Sequence, residues 1–229
     1  MKKSVLFMAV MAFSCFQFTY AQDADKRELG LNIRDAWFGS SAHILHRRQK
    51  EADRWRRFDI SLTPTYNSYR IANQLGNITI PNEFRFQSSG NFSLSYKNVN
   101  EHYVDLKNGF FFYHGPSLGF SYSHNRTKRT YQTSSSEAIY DHTLTQSITT
   151  RLGYLVGLRY DTDSKFSFGL DFAPNFAFSG TLLNNDQNVY NSTTKLITDG
   201  SNMQNELNTT VSFYGAPVFD LWLFFQLGK

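Results

Sequence analysis

The chain is almost devoid of cysteine. Its 229 residues include one, Cys15. That residue lies in an apolar N-terminal stretch, so the rest of the chain has no disulfide, no Cys nucleophile and no Cys metal site. Long apolar runs are also missing. No later stretch approaches the roughly 18 residues of a transmembrane helix, so no such helix is expected. A large excess of one charge sign is absent too. The formal net charge is +4, and no nucleic-acid partner is expected from that balance. The N-terminus has the pattern of a secretory signal over residues 1–21. Lys2 and Lys3 supply the charged start, Val5 to Phe18 is an apolar run too short to span a membrane, and Thr19-Tyr20-Ala21 offers a cleavage site. Cys15 would be acylated in a lipoprotein signal, but Ala12-Phe13-Ser14 before it lacks the usual Leu. Loss of the two signal lysines lowers the charge from +4 to +2.

What is abundant is aromatic side chain, 17% of the chain, dispersed and not gathered into blocks. The clearest pattern runs from Lys165 to Phe178. Phe166, Phe168, Leu170, Phe172, Pro174, Phe176 and Phe178 alternate with Ser167, Gly169, Asp171, Ala173, Asn175 and Ala177. Period two over fourteen residues predicts a β-strand about twice the ordinary length. The two rows differ in size. Small residues suit the crowded inside of a narrow barrel, so the large row is expected to face outward, and lipid is the solvent that favours it there. The lipid-facing row is then Phe166, Phe168, Leu170, Phe172, Phe176 and Phe178.

The same alternation predicts seven further strands. They fall at about Glu28 to Trp37, Ser41 to Gln49, Arg54 to Arg70, Glu83 to Lys97, Phe110 to His124, His142 to Tyr160 and Leu207 to Leu227. Pro64 and Gly215-Ala216-Pro217 are expected at bulges. Asn98 to Asn108, Asn125 to Tyr140 and Thr181 to Asn205 are expected to be loops. The connections after the second and sixth strands are about four residues. Those after the third, fifth and seventh are longer and more polar, as in a barrel with short periplasmic turns and long outer loops. The expected fold is all-β: an antiparallel up-and-down transmembrane β-barrel of about eight strands, residues 22–229, behind the signal.

The segments E-L-G-L-N-I-R (28–34), H-G-P-S-L-G-F-S-Y (114–122), R-L-G-Y-L-V-G-L-R-Y (151–160) and K-F-S-F-G-L-D-F-A-P-N-F (165–176), with the closing strand through Phe225, carry a resemblance. In pattern the chain resembles the small eight-stranded outer-membrane β-barrel proteins of Bacteroidota, most of them uncharacterised. The resemblance implies an eight-stranded barrel in the outer membrane and carries over no catalytic residue. The terminus Leu227-Gly228-Lys229 departs from the terminal aromatic common in outer-membrane barrels.

The inner rows hold charges: Asp59, Arg85, Lys97, Arg151, Arg159 and Asp171, with Arg57 and Asp220 beside them. Isolated buried charge is costly, so these groups must pair. They read as a salt-bridged plug, or alternatively as a polar path for small solutes. His43 and His46 would point to opposite faces of a strand and form no metal site. His114 and His124 belong to the outward face. A rim enzyme acting on lipid or peptide would draw on Ser123, His124, Asp141 and His142, which no motif orders. Tyr66, Tyr69 and Tyr122 near outer strand ends, with Tyr96 and Tyr160 near inner ends, suit aromatic girdles. Arg126, Lys128 and Arg129 form a basic cluster read as a solvated loop or a contact for lipopolysaccharide phosphates. The sequons at Asn77, Asn125, Asn191 and Asn208 mean little in bacterial export. The functional expectation is an exported, non-enzymatic integral outer-membrane protein with a plugged polar lumen. Its role would be structural or surface-binding, or that of a subunit in an envelope complex. No cofactor or metal is expected. The expected partners are outer-membrane lipid and lipopolysaccharide and an envelope protein complex. The alternatives are a narrow channel for small solutes, a rim enzyme, and a soluble lipocalin-like barrel with its faces inverted.

Overall fold

A computed structural model describes residues 26–33, 35, 41–162, 165–215 and 219–227, with backbone alone at 199–205. The expected signal at 1–21 with Cys15, residues 36–40, Asp163-Ser164 and the terminal Gly228-Lys229 lie outside the described residues.

The chain is all-β, and every pairing is antiparallel. Among the described residues there are twelve strands: β1 (Arg27–Asn32), β2 (Ala42–Glu51), β3 (Arg54–Arg70), β4 (Gln74–Leu75), β5 (Ile78–Thr79), β6 (Phe86–Lys107), β7 (Phe110–Gln132), β8 (Glu137–Asp161), β9 (Phe166–Phe172), β10 (Asn175–Asn191), β11 (Leu196–Tyr214) and β12 (Phe219–Leu227). The count is twelve and not about eight for two reasons. A small hairpin, β4–β5, stands apart within the connection after β3. In addition, two long strands are each interrupted, giving β9 with β10 and β11 with β12.

The ten strands outside the hairpin form one up-and-down sheet, and its ladders return on themselves. β1 pairs with β2, then come β3, β6, β7, β8, β9 and β12, and β12 pairs again with β1. Eight strands therefore close a ring at one end. β3, β6, β7 and β8 run on past it, joined there by β10 and β11. On this upper side β2 leaves β3 at the Ala42–Leu62 pair.

Side chains follow the pleat. Phe166 and Phe176 on the outer row are 44% and 53% exposed, whereas Ser167 and Asp171 between them are 2% exposed. The same parity holds on β7, where Leu118 and Phe120 are outward and exposed while Tyr113 is buried inside. The inverted arrangement, with the ring-bearing rows packed within, is thus not the one adopted. The inside is not made only of small groups, however. Trp222, Phe224, Leu45, Val99 and Leu155 are fully buried there.

Several boundaries differ from the sequence expectation. Asn98 to Asn108 is not a loop. β6 continues to Lys107 and turns within two residues, Asn108-Gly109, through left-handed backbone at Lys107, Asn108 and Gly109 (φ 71°, 53° and 81°). Tyr96 therefore lies in mid-strand, and Phe110 packs against Tyr160 at the turn instead, the two rings tilted. Asn125 to Tyr140 and Thr181 to Asn205 are also largely strand; residues 133–136 and 192–195 leave it, and the β10–β11 ladder shifts register between Asn185 and Gln187. β1 ends at Asn32, with helical backbone at Ile33 and Asp35, short of the expected end at Trp37, which lies outside the described residues. Pro64 makes no bulge. It pairs in unbroken register with Phe92, beyond the point where β2 has left that edge, so its missing N–H deprives no neighbour. Gly215-Ala216-Pro217 falls partly outside the described residues. Across it Tyr214 faces Asn175 and Phe219 faces Phe172, so residues 215–218 outnumber 173–174 by two.

Candidate functional site

The inner faces of the ring strands converge on one buried ionic cluster. Glu28 on β1, Arg47 on β2, Arg57 and Asp59 on β3, Glu101 on β6, Arg159 on β8 and Asp171 on β9 are all buried. Arg159 donates from Nη1 and Nη2 to the two carboxylate oxygens of Glu28, at 2.6 and 2.8 Å. Arg47 donates to Glu28 at 3.0 Å and, from Nε and Nη2, to Glu101 at 3.0 and 2.6 Å. Arg57 donates from Nε to Asp59 at 2.7 Å and from Nη1 to Asp171 at 2.5 Å. Tyr113 on β7 donates its hydroxyl to Asp171, and Arg159 Nε donates to Asp161 at the rim. Lys97 stands at the upper edge, 3.9 Å from Asp59.

Rings fill the space between the charges. The Arg47 guanidinium lies 4.8 Å from the Phe224 ring centre and 5.0 Å from that of Tyr103. Arg57 lies 4.9 Å from Trp222. Guanidinium groups stack on aromatic faces while keeping their in-plane donors for carboxylates, so both halves of the cluster use the same three arginines. Each buried ion would be costly alone, and reciprocal pairing offsets that cost. The chemistry suits closure of the ring interior.

Of the charges expected inside, Asp59, Arg159, Asp171 and the neighbouring Arg57 belong to this cluster, with Lys97 at its edge. Arg151 lies on the inner face one level higher and donates to Ser121 Oγ at 2.9 Å. Asp220 accepts from Asn32 Nδ2 at 3.2 Å. Arg85, expected on an inner row, is not there. It precedes β6 at the end of a 3-10 turn (Asn82–Phe84), and its Nε donates to the Ile80 carbonyl, away from the ring interior. Above the cluster is a polar cavity of about 160 Å³ bordered by His43, Asp59, Lys97, Gly119, Arg151 and Asp220. Over it, hydroxyl pairs such as Ser61–Ser95 and Thr149–Ser179 line the inner faces.

Glu28, Arg47, Glu101 and Tyr113 were not among the expected inner groups. Glu101 and Tyr103 fell in the stretch read as a turn. Carrying the alternation Ser95, Lys97, Val99 onward would have placed both inside. Glu28 is likewise in phase with Gly30 and Asn32 of β1.

His43 and His46 occupy opposite faces. His43 lies inside, against Trp222 and bonded to Asp35, and His46 lies outside, stacked on Phe58. His114 is outward, with its ring nitrogen 2.6 Å from the Tyr154 hydroxyl. Ser123 and His124 point to opposite faces of β7, as do Asp141 and His142 on β8. His124 contacts Tyr122, and His142 accepts from Arg126. The four candidates for a rim enzyme are therefore not gathered into a nucleophile–base set. No protein-family model, curated protein or solved structure matches this chain.

Proposed function

We propose that the closed ring is a transmembrane β-barrel of eight staves, lodged in a bacterial outer membrane, with its interior sealed by the ionic cluster. Its role is then structural or surface-binding, through the upper strands and their connections or as a subunit of an envelope assembly, and not catalytic.

The observation that carries this reading is the division between faces. Outward rows such as Phe92-Leu94-Tyr96, Leu118-Phe120 and Phe166-Phe168-Leu170 are large, apolar and exposed, while the rows between them are small or charged and turned inward. A water-soluble protein rarely leaves so continuous an apolar surface uncovered, whereas lipid favours it. From Phe110 to Tyr122 the outward row of β7 is about 40 Å long, or about 30 Å of bilayer depth at ordinary barrel tilt. An eight-strand ring also has an interior that side chains just fill.

The test is fractionation of the expressed protein. It should sediment with outer membranes, require detergent for extraction, and migrate differently on gels before and after boiling, as closed barrels do. Recovery as a detergent-free soluble monomer would end this reading.

A further inference from the structure

The basic stretch 126–129 is strand, and that changes what it can do. On an extended backbone alternate residues share a face, so His124, Arg126 and Lys128 of β7 all point outward, in line above Tyr122 and Phe120. Register sets them against Phe92, Gly90 and Ser88 of β6. Gly90 contributes no side chain, and a cleft of about 400 Å³ opens there. Tyr66 and Phe92 border it, and His124, Arg126 and Lys128 line it. Arg126 is braced from the far side, its Nε donating to His142 Nε2 at 3.0 Å. Among the described residues neither Arg126 nor Lys128 forms an ion pair with a carboxylate. Residues two apart on a strand are about 7 Å apart, close enough for one phosphate group to accept from both.

We propose that this cleft seats the phosphate headgroup of an outer-leaflet phosphoglycolipid. Its acyl chains would run down the outward row through Phe92, Leu94 and Phe120. The proposal rests on the membrane reading above and adds to it a ligand of stated chemistry. Position argues for a lipid over a free anion. The cations stand directly above exposed apolar side chains, so a ligand with an anionic head and an apolar tail gains on both. A free phosphate would meet the cations alone.

The test uses the full mature protein reconstituted in phosphatidylcholine nanodiscs, its folded state checked first by gel mobility before boiling. Bisphosphorylated lipid A, its enzymatically dephosphorylated form and inorganic phosphate are titrated separately. The expected result is binding of the bisphosphorylated form at least ten-fold tighter than the dephosphorylated one, with inorganic phosphate failing to compete at millimolar concentration. Arg126→Gln with Lys128→Gln should remove at least nine-tenths of that preference. Gly90→Leu, which fills the cleft and leaves both cations, should weaken binding comparably. A folded double variant that keeps wild-type preference overturns the proposal, and so does equal binding of the two lipid forms. Effective competition by inorganic phosphate would mark a soluble-anion site and overturn the lipid assignment. Failure to enter nanodiscs at all would instead tell against the barrel reading.

Discussion

Glu28 shows how much rests on single side chains. Its carboxylate is the meeting point of Arg47 and Arg159, two guanidinium groups from β2 and β8. Glu28→Gln keeps the shape and removes the charge, leaving two buried cations short of a partner. The expected loss is about 3–5 kcal/mol of folding stability, read from urea unfolding of the reconstituted protein. Arg159→Met added to it should cost much less than the sum, because the two residues act on one interaction. Gly157 illustrates a different constraint. A Cβ there would collide with the ring of Tyr113, whose hydroxyl is bound to Asp171. Gly157→Val should abolish the compact unboiled gel band, whereas Gly180→Ala, with nothing within 4 Å, should leave it intact. The value of Gly157 as a gap for a ring on the neighbouring strand could not be read from sequence. Glycine on an inner row signals small size, and only the partner's register says what fills the space.

At the level of strands, the period-two signal located most of them and faltered at their ends. Alternation is visible while one face is apolar. Over 125–130 and 184–188 both faces turn polar, so the pattern fades while the strands continue. The same weakness hid the second half of β6. It left Asn98 to Asn108 looking like a long connection, though the chain there turns in two residues. Of the inner charges, those on strongly alternating stretches, such as Asp59 and Asp171, were legible. Arg47 lay in a strand with a poor pattern and Glu101 in one thought to have ended. Pro174 marks an interruption that leaves register untouched, since Phe172 pairs with Val156 and Asn175 with Gly153 on β8 without a shift. The tight turn offers a test at this scale. Gly109 has φ +81°, and a Cβ there would lie 2.8 Å from the Asp161 carbonyl. Gly109→Val is therefore expected to destabilise the folded protein by at least about 1–2 kcal/mol in the same unfolding assay.

For the molecule as a whole, the proposed plug makes an electrical prediction. Wild-type protein inserted in planar bilayers should pass no steady current. Replacing both Arg47 and Trp222 by Ser removes a stacked guanidinium and a fully buried indole from the interior, and should yield discrete openings. Regular unitary currents from the unaltered protein would favour the narrow-channel alternative.

The ionic cluster draws a member from every strand of the ring: Glu28, Arg47, Arg57, Glu101, Tyr113, Arg159 and Asp171, with the Trp222 and Phe224 rings completing it from β12. It works as a lock whose tumblers sit on separate staves. An intermediate short of one strand would hold buried charges or rings without their full set of partners, and would have to keep water inside until the last seam zipped. Assembly and disassembly should thus be all-or-none, with spectroscopic labels on β1 and β8 reporting one shared transition.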